Sequence, residues 1–463
     1  MTRTLVAAIA LSAAAAGCTT VGPDYKRPVV PAPDTFRSQP AGDTSTSAAN
    51  ARWETLFEDE SLRELIAAAL EHNYDVRIAA TRILQAQAVF GITRSNQFPT
   101  VDAVASAQGQ RTSVTDRDGE AVTAGVIQLG ASVGWEPDFW GKFRRANESA
   151  RAQILGSEWG RRAIVTSLIS QVANGYFALR AFDLELAVAT RTLATRQESL
   201  RLTEVREAGG ATSLVDVRQA EQLVQGARVA IIDLHRLIEQ QENALSVLVG
   251  RNPGAIARGR ELTDQPHPPE LPAGLPSALL ERRPDILQAE QGIVATNAEI
   301  GVAKAAYFPQ ITLTGSGGVA STALSALFSG PAGAWTAAAS IVQPIFNAGR
   351  IRSQVALADA RRQEAVLVYE QTIQQAFREV SDALVGYART RELREAREVL
   401  VRSAQDARRL ADLRYQGGAA SYLEVLDSDT RLFAAETELV RAQFDELVAF
   451  VEIYRALGGG WQG

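Results

Sequence analysis

The chain repeats itself at a very long interval. "HNYDVRIAATRILQAQAVFGITRSNQFPTVDAVAS" from His72 aligns with "RRPDILQAEQGIVATNAEIGVAKAAYFPQITLTGS" from Arg282. Asp75 pairs with Asp285, and Phe98-Pro99 with Phe308-Pro309, each 210 positions on. Later, "REAGGATSLVDV" from Arg206 pairs with "RYQGGAASYLEV" from Arg414, 208 positions on. A near-constant shift of this size marks a duplicated domain rather than a solenoid. The fold must therefore hold one unit twice: repeat one over 53–250, a Pro-rich linker over 251–276, repeat two over 277–458, and a short tail over 459–463.

Each repeat reads as helix, hairpin, helix, helix. In repeat one the spacing predicts a helix over Ser61–Ser95, with Leu65, Ile66, Ala69 and Leu70 on one face, then Val76, Ile83 and Leu84. Pro99 stops it. Two extended stretches, Thr100–Val114 and Val122–Val133, flank the polar turn "TDRDGEA" within a hairpin at 100–137. In repeat two, Gln310–Ser321 and Ala334–Ile345 do the same within 310–346. The strands alternate small apolar and polar residues, as in "VDAVASAQGQ". Two readings fit that pattern: a membrane-barrel strand, or a hairpin on a soluble sheet. Four strands cannot close a barrel, and an open edge in lipid strands its backbone polar groups. If these strands enter a bilayer, several chains share one barrel, and three chains supply twelve strands.

Long helices follow each hairpin. The stretches 143–207 and 351–415 contain no proline. At 1.5 Å per residue each would run about 100 Å, a length that points to coiled-coil packing. Each ends at a double glycine, Gly209-Gly210 or Gly417-Gly418, suited to a left-handed C-cap. Returning helices span 213–249 and 421–457, and Ser213 with Asp216, like Ser421 with Glu424, has capping-box spacing. Val217, Val224, Ile231, Ile238 and Leu245 recur every seven residues, accompanied by Ala220, Ala227, Leu234, Gln241 and Leu248. In repeat two Val425, Leu432, Leu439 and Ile453 recur, with Glu446 as the interruption; Ala435, Ala442, Ala449 and Ala456 accompany them. One residue on, Leu426, Phe433, Val440, Leu447 and Tyr454 form a second series. Adjacent seams pack against neighbours on two sides. That suits a ring of helices; a bundle with a filled core also fits the pattern.

The chain opens differently. "AAAAGCTT", Ala13–Thr20, holds its only cysteine, Cys18, so no internal disulfide can form. Arg3 and the apolar run Leu5–Ala16 read as a secretory signal peptide, too short to span a bilayer. With Ala16 and Gly17 before Cys18, the stretch resembles the lipobox of bacterial lipoproteins. That resemblance implies a signal peptide over 1–17 and covalent diacylglycerol and palmitate on Cys18. Residues 18–52 then form a lipidated tether, polar from Asp34 to Asn50. Thr19, rather than Asp, is compatible with the outer membrane.

Composition narrows the function. The net charge is −6 with no basic tract, which argues against nucleic acid. His72, His235 and His267 are scattered, with no metal-ligand spacing. No HExxH, P-loop, GxGxxG or GxSxG occurs, and "GSGG" at Gly315–Gly318 lacks the Lys and helix of a phosphate loop. No enzyme chemistry, cofactor or metal is expected.

Four motifs carry a family resemblance: "VGPDYKRP" after the cysteine, "WEPDFWGK" at Trp135–Lys142, "ERRPDILQAEQGIVATNAEIGVAKAAYFPQITLTG" from Glu281, and "PIFNAGR" at Pro344–Arg350. From about Trp53 to Leu457 the chain resembles the outer-membrane efflux-channel family, the TolC-like outer membrane factors, in their lipoprotein branch. The resemblance implies a fold that is mainly α with membrane β. It further implies a homotrimer whose twelve-stranded barrel in the Gram-negative outer membrane, among its lipids, continues as a periplasmic α-helical tube. Such a trimer is the passive duct of a tripartite efflux system, exporting drugs or other small solutes. Its partners are a periplasmic adaptor (membrane fusion) protein and an inner-membrane pump. The adaptor-docking tip would be Gly209, Gly210 and Ala211 with Gly417, Gly418 and Ala419. The periplasmic gate would be Leu423, Glu424 and Asp427, with Glu424 where the family carries Asp. Ala419 and Ala420 stand where some members have a gate Arg. Glu424 also reads as a cap near the positive helix end. Asp427, beyond the first turn, reads toward the pore, and Asp429 toward a solvated face. The aromatics Phe98, Trp135, Phe139, Trp140, Phe308, Trp335 and Phe346 read either as an interfacial belt or as strand–helix packing. The alternative function is a periplasmic coiled-coil scaffold or adaptor lipoprotein without a pore, which predicts one helical hairpin and a separate β domain.

Overall fold

The computed structural model describes residues 20–37, 52–115, 121–266, 274 and 276–461. The leader, Cys18 and the Asp118-Gly119 turn lie outside them. In chain order the elements are α1 (Trp53–Leu56), α2 (Glu60–His72), α3 (Tyr74–Ser95), β1 (Thr100–Thr115), β2 (Ala121–Trp135), α4 (Lys142–Ala208) and α5 (Leu214–Leu248). Then come α6 (Pro276–Arg282), α7 (Pro284–Ala305), β3 (Gln310–Ser321), β4 (Gly333–Val342), α8 (Arg350–Gln416) and α9 (Tyr422–Ala456). Helices α4 and α8 each run 67 residues, α5 and α9 each 35.

Two details depart from the sequence reading. The helix expected over Ser61–Ser95 is broken at Asn73, whose extended backbone ends α2. Its Oδ1 accepts from the amides of Asp75 and Val76 at 2.8 and 3.2 Å, capping α3, while Nδ2 donates to the Leu248 carbonyl at 2.9 Å. The last strand stops at Val342 rather than Ile345. Pro344 has no N–H to continue a ladder.

The four strands form one antiparallel sheet in the order β1-β2-β3-β4. The two repeats meet at β2 and β3, in register from Ile127↔Ser321 to Trp135↔Leu313. That leaves β1 and β4 as edges. Every residue of β4 is exposed, as is β1 from Thr100 to Arg111. Val101 is 71% exposed and Trp335 80%. The sheet of a single chain therefore encloses no hydrophobic interior.

By contact the chain falls into two compact units that cut across both repeats. One holds the sheet with Arg82–Ser157 and Gln288–Tyr369, together with the described residues up to Val29. Here the "WEPDFWGK" motif builds the turn from β2 into α4. Asp138 caps the helix, accepting from the amides of Phe143 and Arg144 at 3.2 and 2.8 Å. Trp135 Nε1 donates to the Gln97 carbonyl at 3.0 Å, and Trp140 Nε1 to that of Pro309 at 2.7 Å. Trp140 stacks on Phe308 with centroids 4.9 Å apart. These aromatics bond or stack at the strand–helix junction while Trp135 and Phe308 stay 38% exposed, and Phe98, Trp335 and Phe346 are more exposed still.

The other unit comprises Val30–Thr81, Glu158–Leu287 and Glu370–Gly463. Val217, Val224, Ile238 and Leu245 are buried along α5, with Ala220, Ala227 and Leu234 beside them. On α9 both series are occupied: Val425, Ile453, Ala435 and Ala442 are buried, and so are Leu426, Val440, Leu447 and Tyr454. Glu446, the apparent interruption, lies inside, with its carboxylate 2.6 Å from Arg394 Nε. The described start of the linker, 251–266, is docked: Asp59, 1% exposed, accepts from the Tyr176 hydroxyl, the Arg260 amide and Gln265 Nε2, each at 2.9 Å. The "ERRPD" motif anchors the start of α7, where Arg283 pairs with Asp285 at 2.6 Å and Glu379 at 2.9 Å.

Candidate channel gate and helix tips

The two double glycines build the same turn. After α4, the Gly210 amide donates to the Glu207 carbonyl and the Ala211 amide to that of Arg206, both at 2.8 Å. After α8, the Gly418 amide reaches Tyr415 at 3.1 Å and the Ala419 amide reaches Arg414 at 2.8 Å. Gly210 and Gly418 have φ of 72° and 71°. This is the Schellman pattern, in which a left-handed residue lets the chain close the orphan carbonyls of a helix end. Gly209, Gly210, Ala211, Gly417, Gly418 and Ala419 are all exposed.

The side chains differ between the turns. Ser213 and Asp216 form a full capping box, and Thr212 also donates to Asp216. The Thr212 hydroxyl, together with Ser213, holds the Asp216 carboxyl below the usual carboxylate range. Ser421 makes no side-chain cap, so the second box read from the sequence does not form. Its backbone carbonyl alone receives the Glu424 amide, at 3.2 Å. Glu424 faces Arg414 instead, at 3.5 Å. The carboxylate meets a guanidinium from the preceding helix and leaves the serine hydroxyl without a role at the cap.

Among the gate residues, Leu423 is 63% exposed. Asp427 is exposed and bridges to Arg431 one turn on, at 2.8 Å. Asp429 departs from the sequence reading, which puts it on a solvated face. It is 7% exposed and sits between Arg196 Nε at 2.7 Å and Arg408 Nε at 3.2 Å. Its position explains the difference: it lies four residues after Val425 and three after Leu426, both buried, and neighbours at those spacings share a helix face. Arg196 also donates to the Leu223 carbonyl at 3.0 Å and lies over the Phe433 ring, while Arg408 pairs with Asp412.

An aromatic layer closes this cluster toward the turns. Tyr415 and Tyr422 have centroids 5.2 Å apart, and Arg206 lies over the Tyr415 ring. The Tyr422 hydroxyl is 3.1 Å from Ser199 Oγ. Ala220, Ala411, Val425 and Leu426 pack beside the rings. The ends of α4, α5, α8 and α9 are thus tied by one buried ionic and aromatic knot. Sequence reasoning missed Arg196, Arg408, Tyr415 and Tyr422. The available signal was the acid placed within an apolar helix face.

The family description "outer membrane efflux protein" matches residues 65–251 and again 275–459. The chain belongs to the outer membrane efflux protein family. It is 37% identical to the toluene efflux pump outer membrane protein TtgC of Pseudomonas putida, over the whole of this chain and 96% of that one. It is 34% identical to the cation efflux system protein CusC of Escherichia coli K12, over 96% of each chain. It also matches the open-state crystal structure of the Neisseria gonorrhoeae MtrE outer membrane channel, with a TM-score of 0.86 and 32% identity over 96% of this chain and 99% of that one. This chain is thus an outer-membrane efflux channel with two tandem repeats, in a family of ducts rather than enzymes. The efflux channel matches its family in both copies, and the Asp429 knot joins the helices of its two turns.

Proposed function

We propose that three copies of this chain share a twelve-stranded barrel and act as the passive outer-membrane duct of a tripartite efflux system. The duct works with a periplasmic adaptor and an inner-membrane pump and carries small solutes outward. The observation that carries this reading is the open sheet: among the described residues β1 and β4 are its edges, and β4 and β1 from Thr100 to Arg111 are exposed on both faces. In lipid such edges must pair, and only further copies supply matching strands. The same exposed face argues against a pore-free scaffold, which needs no lipid-compatible sheet.

In this reading Cys18 carries the lipid anchor. The exposed turns at Gly209–Ala211 and Gly417–Ala419 meet the adaptor. Leu423, Glu424 and Asp427 line the constriction, where threefold symmetry turns each into a ring. Carboxylate rings favour cations, but each Asp427 is bridged to Arg431 and each Glu424 to Arg414, so the local charge is largely balanced. Reconstitution in a planar bilayer tests this. Discrete conductance steps are expected, with cation preference lowered by Asp427→Asn and raised by Arg431→Ala. Trimers that conduct identically with both substitutions would remove Asp427 from the gate, and well-folded monomers without barrel strands would end the duct.

A further inference from the structure

The segment Thr20–Arg27 is laid along α7 in a way its sequence dictates. Gly22 touches Gly301: a Cβ on Gly22 would stand 2.5 Å from the Gly301 Cα, and one on Gly301 would stand 2.6 Å from the Val21 carbonyl oxygen. Glycine inside a helix costs about 1 kcal/mol against alanine, and this crossing is what requires it at 301. Further along, Asn297 Nδ2 donates to the Pro23 carbonyl at 2.8 Å. Beyond it, Glu290 accepts from the Tyr25 hydroxyl and from Arg27 Nη2, each at 2.8 Å. Contact thus moves forward from Gly22 to Arg27 while it moves backward from Gly301 to Glu290. The lengths agree. The extended segment rises about 3.3 Å per residue and covers about 16 Å, and the facing stretch of helix, at 1.5 Å per residue, covers about the same.

The strap is fastened from α4 by Arg145. Its guanidinium is 6% exposed and donates to the carbonyls of Val21 and Gly22, to Asp24 at 2.8 Å and to Glu148 at 2.8 Å. A planar fork of five N–H donors fits that set; a lysine ammonium does not. The direction of docking has a consequence. Because the strap runs antiparallel to α7, its first described residues lie where α7 leads into β3. There the Val21 amide donates to the Trp140 carbonyl at 3.1 Å, and Thr20 packs on Gly141 at the start of α4. Cys18 is two residues away, a reach of about 7 Å at most.

We propose that Thr20–Arg27 is a register strap, clasped by Arg145, Asn297 and Gly301, that fixes where the N-terminal anchor leaves the fold: beside the strand ends. This rests on the reading of Cys18 as the lipidated residue. In that assembly the strap delivers the acyl chains to the lipid that the strands enter, and Arg145 is a positioning residue for the anchor.

The full-length protein in isolated outer membranes tests this by brief trypsin treatment. Lys26 is exposed and cuttable, but cleavage there requires the strap to open locally. Palmitate labelling is read in parallel. The wild type, Cys18→Ala and Asp24→Glu are expected to resist cleavage after Lys26. Arg145→Gln and Gly301→Val are expected to be cut at least about tenfold faster, since cleavage tracks the open population, and Asp24→Ala at most a few-fold faster because its carboxylate is exposed, all keeping wild-type palmitate. Each variant is first checked for assembled trimers, and Gly301→Val probes the same docking while leaving Arg145 and its acidic partners in the chain. Cleavage of assembled Arg145→Gln and Gly301→Val trimers at the wild-type rate would overturn the strap. A wild type without palmitate would overturn the Cys18 reading and the anchoring role, leaving the cleavage rates to judge the docking alone.

Discussion

Asp429 is held by two arginines, and all three side chains are at most a tenth exposed. Removing one member of such a set leaves a charge buried without compensation, which costs about 3–5 kcal/mol. Asp429→Asn is therefore expected to lower the thermal unfolding midpoint of the detergent-solubilised protein markedly. Replacing Asp429, Arg196 and Arg408 together by leucine should restore most of the loss, because a well-packed apolar set can match an ion cluster. An unchanged midpoint in Asp429→Asn would show that the knot contributes nothing. Among the described residues the repeat-one counterpart, Glu221, pairs with Arg218 on its own helix, so the buried acid is a feature of repeat two, while Arg196 reaches it from repeat one. Heptad counting could not find it. An acid outside the counted series reads as solvent-facing, which puts Asp429 on the wrong face, whereas Glu446 interrupts the seam series itself and lies inside where that series places it.

The elements were more legible than the residues. Proline-free stretches became α4 and α8, and the double glycines ended them, because no other residue closes a helix so cheaply in left-handed geometry. The break at Asn73 lies hidden inside a continuous apolar pattern. The second capping box does not form because Ser-x-x-Glu spacing permits the bond without enforcing it against a nearby arginine. The two turns consequently differ in what holds them. Asp216 has a depressed folded pKa, so its contribution is present above the ordinary aspartate value of about 3.9 and is lost as pH falls through the depressed one. Amide exchange at the Gly209–Asp216 turn, corrected for the intrinsic rate, is expected to stay flat from neutral pH to about 5 and to rise below about 4. Asp216→Asn should raise exchange at neutral pH and flatten that acid response. A variant that keeps the wild-type profile would show that the carboxylate does not hold the turn.

For the whole molecule, the duplicated sequence already set the terms: two hairpins, four strands and too few for closure. What it could not decide was whether the strands face water or lipid, since small residues alternating with polar ones serve both. The exposed edges and faces of β1 and β4 decide against a private core, and membership of the efflux family agrees. The central claim is that β1 of one copy pairs with β4 of the next until three copies close the ring. A cysteine at Val101 in β1, combined with a scan of single cysteines from Trp335 to Ile341 in β4, measures this directly. After oxidation in native membranes, denaturing gels should show chains joined in twos and threes and no further, at alternate positions of the scan. Chains that stay single throughout, that link only within themselves, or that build ladders beyond three would contradict it.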